Sequence, residues 1–276
     1  MTQKKGERKM GISNSFLLQH FADTVWLLKP KQLQIMADVV STKINSGSVE
    51  QLASLSSKAN NSLPSVQRQG DIAILNIEGT LVPKASFLDA MCGMQGILSL
   101  HNQFNELVAD ESVRRIVLYI DSPGGAVVGI PEFAQSIFEA RQEKEIVAFT
   151  DTCACSGAYY LASAAEQFVA TPSSVIGSIG VYTALVKMKQ ENVEVHVVQA
   201  GSKKTFGSPY TELSDEEMQF FADRVDKIYE QFTSDVSIFR DIGLDKVKST
   251  EGAFFSSSDA PSWMVDELNN SNYVLL

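Results

Sequence analysis

The chain has 276 residues, with 23 Lys and Arg against 33 Asp and Glu and a net charge of −10 at pH 7. That acidic balance argues against nucleic acid as the main ligand, because phosphate binding needs a basic face. Hydrophobic residues make up 44% and charged residues 20%, ordinary for a globular protein and enough for one large domain or two small ones. The three cysteines, Cys92, Cys153 and Cys155, are odd in number and predict a reducing compartment without a disulfide framework. The N-terminal apolar stretch Ile12–Leu28 carries His20 and Asp23 and is too polar to span a bilayer. The expectation is a cytoplasmic chain with no membrane anchor and no targeting segment.

Residues 1–11 read as a disordered basic tail. From Ser13 to about Ile44 many apolar residues fall at helical spacings, and Pro30 divides two expected helices. The first would bury Phe16, Leu17, Phe21, Val25 and Leu28; the second Leu33, Met36, Val40 and Ile44. Ser46–Gln69 is rich in Ser and Asn and reads as a linker. Residues 1–64 are thus expected to form a tail and helical extension, serving either assembly or as a cap on the core, and residues 65–276 the main domain. Asp71–Ile77 opens that domain as a strand, Lys84–Gly96 reads as a loop or flap, and Leu98–Ala109 as an amphipathic helix with Leu98, Phe104, Leu107 and Val108 inward. Ile116–Ile120 and Ile146–Thr150 are short β-branched apolar runs of the buried-strand type, and Pro131–Arg141 between them has helical spacing.

An Ala-rich helix is expected over Gly157–Ala165, a strand over Gln167–Thr171, a glycine-punctuated extended stretch over Pro172–Val181 and a strand over Val193–Gln199. Ser214 and Glu217 form a capping box, with Leu213 set to staple to Met218. They open a helix expected to reach about Arg240 and to bury Phe221, Val225, Ile228, Phe232, Val236 and Phe239. Strands alternating with helices imply a mainly parallel α/β core.

Two small-residue turns close the central strands: Asp121-Ser122-Pro123-Gly124-Gly125 and Cys155-Ser156-Gly157-Ala158. Paired glycines let backbone N–H groups approach a ligand with no Cβ in the way. A serine that opens a helix after a strand presents its hydroxyl at the sheet edge, beside the helix N-terminus. Together they are the parts of an acyl-transfer site, a nucleophile and an oxyanion cradle. Serine needs a neighbouring base. The chain has three histidines, His20, His101 and His196, and none forms an obvious Ser-His-Asp triad; His196, in an apolar run, reads as a packed core residue. A lysine serves equally if it is kept neutral by an apolar site. Lys203 and Lys204 stand in the Gly-, Ser- and Pro-rich turn Gln199–Tyr210, which can fold back over a site but is also what a solvated surface turn looks like. Gly124-Gly125 is equally compatible with a plain tight turn, and no lysine follows it in Walker spacing.

The motifs Asp121-Ser-Pro-Gly-Gly, Cys155-Ser-Gly-Ala-Tyr-Tyr, Ile176-Gly-Ser-Ile-Gly-Val and Lys204-x-x-Gly-Ser-Pro-Tyr, in this order, resemble the signal peptide peptidase A family of serine peptidases across roughly Asp71–Asp266. The resemblance implies a Clp/crotonase-like fold of repeated β-β-α units and a Ser-Lys dyad. It puts the nucleophile on Ser156, the general base on Lys204, a lysine-orienting role on Ser178 and the oxyanion hole on N–H groups of Gly124, Gly125 and Gly157. It implies no cofactor and no metal. A single catalytic-type domain without an anchor, together with the run from Phe21 to Pro30, is similar to the phage head-maturation branch of that family. That branch would act on capsid, portal or scaffold proteins, as a homo-oligomeric ring, in the host cytoplasm or prohead interior. Residues near Gly124–Val128 and Ile179–Val181 offer edges for backbone pairing with an extended peptide, and the small residues around them suggest a pocket for small side chains. The alternatives are a bacterial signal-peptide-degrading peptidase, a crotonase-like acyl-CoA enzyme, a Clp-like peptidase pairing Ser156 with His196, and a non-enzymatic assembly protein.

Overall fold

A computed structural model of the chain describes residues 26–27, 66–86, 89–90, 93–185 and 195–270. The expected helix over Leu33–Ile44, most of the helix before it, His20 and Cys92 lie outside these residues.

The main sheet has six strands in the order β13-β10-β8-β6-β3-β2. These are β2 (Val66–Gln69), β3 (Ile72–Glu78), β6 (Arg115–Asp121), β8 (Glu145–Thr150), β10 (Gln167–Ala170) and β13 (Glu267–Leu268). All neighbours are parallel except the β2–β3 hairpin. The near-continuous apolar runs follow from burial on both faces. Leu75, Ile77, Leu118, Ile120 and Ile146 join the large core on one side, while Ile74, Val117, Val147, Phe149 and Val169 form a second cluster on the other.

The chain repeats one pattern. A long strand of the main sheet is followed by a short strand of a side sheet and then by a helix. β6 leads to β7 (Gly125–Ala126) and α2 (Ile130–Ala140); β8 leads to β9 (Cys153–Cys155) and α3 (Gly157–Ser163). β3 leads through β4 (Thr80–Val82) and β5 (Met94–Gly96) to α1 (Ile97–Ala109), and β10 to β11 (Val175–Gly177). One side sheet is ordered β1-β7-β4-β5, the other β12-β11-β9, where β1 is Trp26–Leu27 and β12 is Phe254–Ser256. Among the described residues, two further helices follow, α4 (Asp215–Phe239) and α5 (Leu244–Lys248).

Several expectations are corrected. Trp26–Leu27, expected within a helix, is a strand paired with β7. Helix α1 buries Ile97, Leu100, Phe104 and Leu107, while Leu98 is 46% exposed: the inward stripe lies one residue away from the expected start. Val195–Gln199 forms no strand and is exposed, His196 included, because no sheet edge receives it. Of the apolar residues of α4 only Phe232, Val236 and Phe239 are buried; Phe221, Val225 and Ile228 are half-covered, because the apolar face of the first half of the helix runs beyond the core. Ser214 Oγ does accept the Glu217 N–H at 3.1 Å, but Leu213 and Met218 are exposed and the staple is not closed against the core.

His101 serves the core. Its Nε2 lies 2.8 Å from Ser136 Oγ on α2, and its ring stacks on Phe133 with centroids 5.0 Å apart. Burial pushes its pKa below the ordinary imidazole value, against a smaller opposing pull from Glu132. The unfolded chain therefore takes up this proton first as pH falls. The contact stabilises the fold above the ordinary histidine pKa and is lost on acidification through the lower folded value. The gap in thermal midpoint between the parent chain and His101→Gln should accordingly shrink as pH drops below about 6.5, measured by calorimetry across that range.

Candidate active site

β9 ends at Cys155 and α3 begins at Gly157, so Ser156 alone makes the junction. It does so at φ 56 and ψ −120, a left-handed backbone that a non-glycine residue adopts only when its surroundings impose it. The surroundings are explicit. Ser156 N–H donates to Gly177 O at 2.7 Å, Ser156 O accepts from Tyr160 N–H at 2.9 Å, and the residue is 2% exposed. A sharp strand-to-helix turn of this kind lifts a serine hydroxyl clear of the sheet.

The helix behind it is fixed by its two tyrosines. Tyr159 OH donates to Met264 O at 3.1 Å, and Tyr160 OH donates to the Asp235 carboxylate while its ring stacks on Phe232. Burial raises the pKa of both phenols, so they stay neutral donors.

The glycine turn is fastened to the same strand. Ser122 N–H donates to Cys153 O at 2.8 Å and Cys155 N–H to Ser122 O at 3.1 Å, placing the turn alongside the approach to Ser156. Ser122 is fully buried; its hydroxyl donates to Gly79 O at 2.6 Å and accepts the Gly124 N–H at 3.1 Å. Sequence reasoning missed this organising role, although the residue stands inside the quoted motif. The Gly124 N–H is thereby committed within the turn. Leu81 N–H reaches Gly124 O at 2.9 Å, and a Cβ on Gly125 would stand 1.9 Å from Leu81 O, so only glycine lets β4 and β7 meet here.

Ser178 lies next to Ser156. β11 pairs with β9 so that Gly177 faces Cys155, and Ser178 follows at φ 56 with its N–H on Ala253 O at 2.7 Å.

Lys204 sits in an exposed turn, and among the described residues no hydrogen bond or ion pair joins it to Ser156. Its neighbour Lys203 lies 3.9 Å from Glu216 and 5.3 Å from the Phe220 ring centre. The turn is held by Glu217, a 2% exposed residue whose Oε1 accepts the Gly207 N–H at 2.6 Å. The capping motif flagged Glu217, but nothing in the sequence tied its carboxylate to the lysine turn. Glu217→Ala leaves the Gly207 N–H without this partner, a change worth about 1–3 kcal/mol. We expect faster hydrogen exchange across residues 201–210 in Glu217→Ala and most of the protection retained in Glu217→Gln.

Neither Cys153 nor Cys155 is in a disulfide: the Cys153 thiol donates to Asp121 Oδ1 at 3.7 Å and the Cys155 thiol to Val175 O at 3.5 Å. Among the described residues no helix is long and apolar enough to cross a membrane, and no group of three or more His, Cys, Asp or Glu side chains is placed to hold a metal ion.

A strained serine at a strand-to-helix junction, backed by a glycine turn from the adjacent parallel strand, is the layout of serine acyl-transfer sites. Residues 139–276, which include Ser156, Ser178 and Lys204, match the family described as Peptidase family S49, and the chain belongs to that family. It is 33% identical over 206 residues to the head-tail preconnector protein GP5 of Enterobacteria phage P21, covering 73% of this chain and 41% of that protein. It is 32% identical over 212 residues to the capsid assembly protease C of Escherichia phage lambda, covering 75% and 48%. To the putative protease MJ0651 of Methanocaldococcus jannaschii it is 29% identical over 180 residues, covering 63% and 58%. The chain thus spans about half the length of these relatives. The resemblance to the signal peptide peptidase A-like peptidases and their phage branch holds.

Proposed function

We propose that this chain is a serine endopeptidase with a Ser156–Lys204 dyad that processes capsid, portal or scaffold proteins during prohead maturation. The observation that carries it is Ser156 itself, a buried non-glycine residue at φ 56 beside the glycine turn. The repeated strand, side strand and helix support reading the fold as Clp/crotonase-like, and two phage head-assembly relatives support the choice of substrate. The acyl-CoA alternative makes no use of the strained serine. His101 is committed to Ser136 and His196 is exposed, which weighs against a histidine base.

In this mechanism neutral Lys204 takes the Ser156 Oγ proton as the oxygen attacks the scissile carbonyl. The developing oxyanion is held by the N–H groups of Gly125 and Gly157, the Gly124 N–H being engaged by Ser122. Lys204 then protonates the leaving amine, and water, deprotonated in turn by Lys204, releases the acyl group from Ser156. Ser178 orients the amine. No metal or cofactor takes part. A neutral lysine requires an apolar enclosure, and Lys204 is exposed in the single chain. We therefore place it against Ser156 of a neighbouring copy in a ring, whose contact would cover the half-exposed apolar stripe Phe221, Val225 and Ile228 of α4. The site of action is the host cytoplasm or prohead interior.

The test is co-expression with a head protein from the same genome. Cleavage that disappears with Ser156→Ala supports the assignment, and cleavage that persists overturns it.

A further inference from the structure

The strand β7 has two edges. One is taken by β4, with Leu81 opposite Gly125. The other is taken by β1, a two-residue strand from far up the chain, antiparallel, with Trp26 opposite Ala126 and Leu27 opposite Gly125. That second edge is the one an extended peptide needs if its carbonyl is to reach the Gly125 N–H. The polarity also matches. β1 runs from Ala126 towards Gly125 in its amino-to-carboxyl direction, so it enters the site as the acyl half of a substrate would. We infer that the segment holding Trp26–Leu27 is a tethered occupant of the substrate strand position, competing with peptide for β7 in the same molecule.

The competition is balanced by construction. Two paired residues make a weak ladder, but a covalent tether supplies the strand at an effective concentration in the millimolar range. A substrate that pairs over a longer stretch displaces it. Where the edge is open in roughly one molecule in ten, apparent affinity for peptide falls about tenfold. What the segment competes against rests on the peptidase reading; the pairing itself does not.

The experiment uses the full chain and a fluorescein-labelled peptide of its own residues 21–30. In a Ser156→Ala background, binding is read by anisotropy with and without the pair Trp26→Pro and Leu27→Pro, since proline cannot donate to a ladder. The proline pair should bind the peptide about tenfold more tightly, and its amides at Gly125–Val128 should exchange faster when no peptide is present. With Ser156 intact, the same pair should lower KM for a fluorogenic peptide by a similar factor and leave kcat unchanged. Should the proline pair lower the thermal midpoint, glycine at both positions, which weakens a strand without removing donors, should shift affinity in the same direction by less. Unchanged affinity and KM in a chain that cleaves peptide overturns the inference and leaves the peptidase reading intact. Tighter binding in a chain that never cleaves does the reverse.

Discussion

Ser156→Ala and Lys204→Ala chains are each expected to cleave peptide at least about four orders of magnitude more slowly than the parent, as when one member of a nucleophile–base unit is removed. Thermal midpoints should stay close to the parent value, since neither substitution empties the core. Mixing the two variants discriminates further. If Lys204 serves the Ser156 of a neighbouring copy, mixed rings contain junctions with an intact serine facing an intact lysine, and cleavage returns. If the dyad closes within one chain, the mixture stays inactive. The strain at Ser156 makes a separate claim. Glycine adopts φ 56 and ψ −120 without the steric cost a Cβ carries there. Ser156→Gly should therefore be inactive yet more stable than Ser156→Ala, by about 1–3 kcal/mol if the whole strain is released. A less stable glycine variant would mean that the junction is not strained.

The parts of this site differ in how legible they were. Ser156 and the glycine pair stand out in sequence because their chemistry depends on the local backbone: a strand, one residue, then a helix, or two residues without side chains. The sheet strands were equally clear, since burial on both faces leaves uninterrupted runs such as Ile116–Ile120. Relations formed across long separations were not legible. Ser122 acts by joining Gly79 O to the Gly124 N–H, and no local pattern marks a serine for that role. Glu217 satisfied a helix-capping pattern, yet its carboxylate closes on Gly207 ten residues upstream. The periodic run on α4 predicted burial along the whole helix. Periodicity marks an apolar face without saying what covers it, and in the single chain the core reaches only from Phe232 onward. Trp26–Leu27 failed as a helix for a related reason: apolar spacing in a short segment suits either state, and the open edge of β7 decided it.

Gly125→Ala should be the most damaging small substitution in the turn. The added Cβ would lie 1.9 Å from Leu81 O, 2.5 Å from its carbonyl carbon and 2.6 Å from its Cα, all backbone atoms that no rotamer change can move. β4, buried throughout, must then separate from β7. Overpacking of this kind costs about 1–3 kcal/mol, read as a lower thermal midpoint. The kinetic effect is expected to be larger, because shifting β7 moves the Gly125 N–H away from the oxyanion, and loss of one such donor costs about two to three orders of magnitude in kcat. Gly243→Ala is the matched control: nothing lies within 4 Å of its added Cβ and its φ is −58, so stability should change by no more than about 0.5 kcal/mol. A Gly125→Ala chain with lowered stability but full kcat would show that this N–H does not hold the oxyanion, and would move that role to another donor beside Ser156.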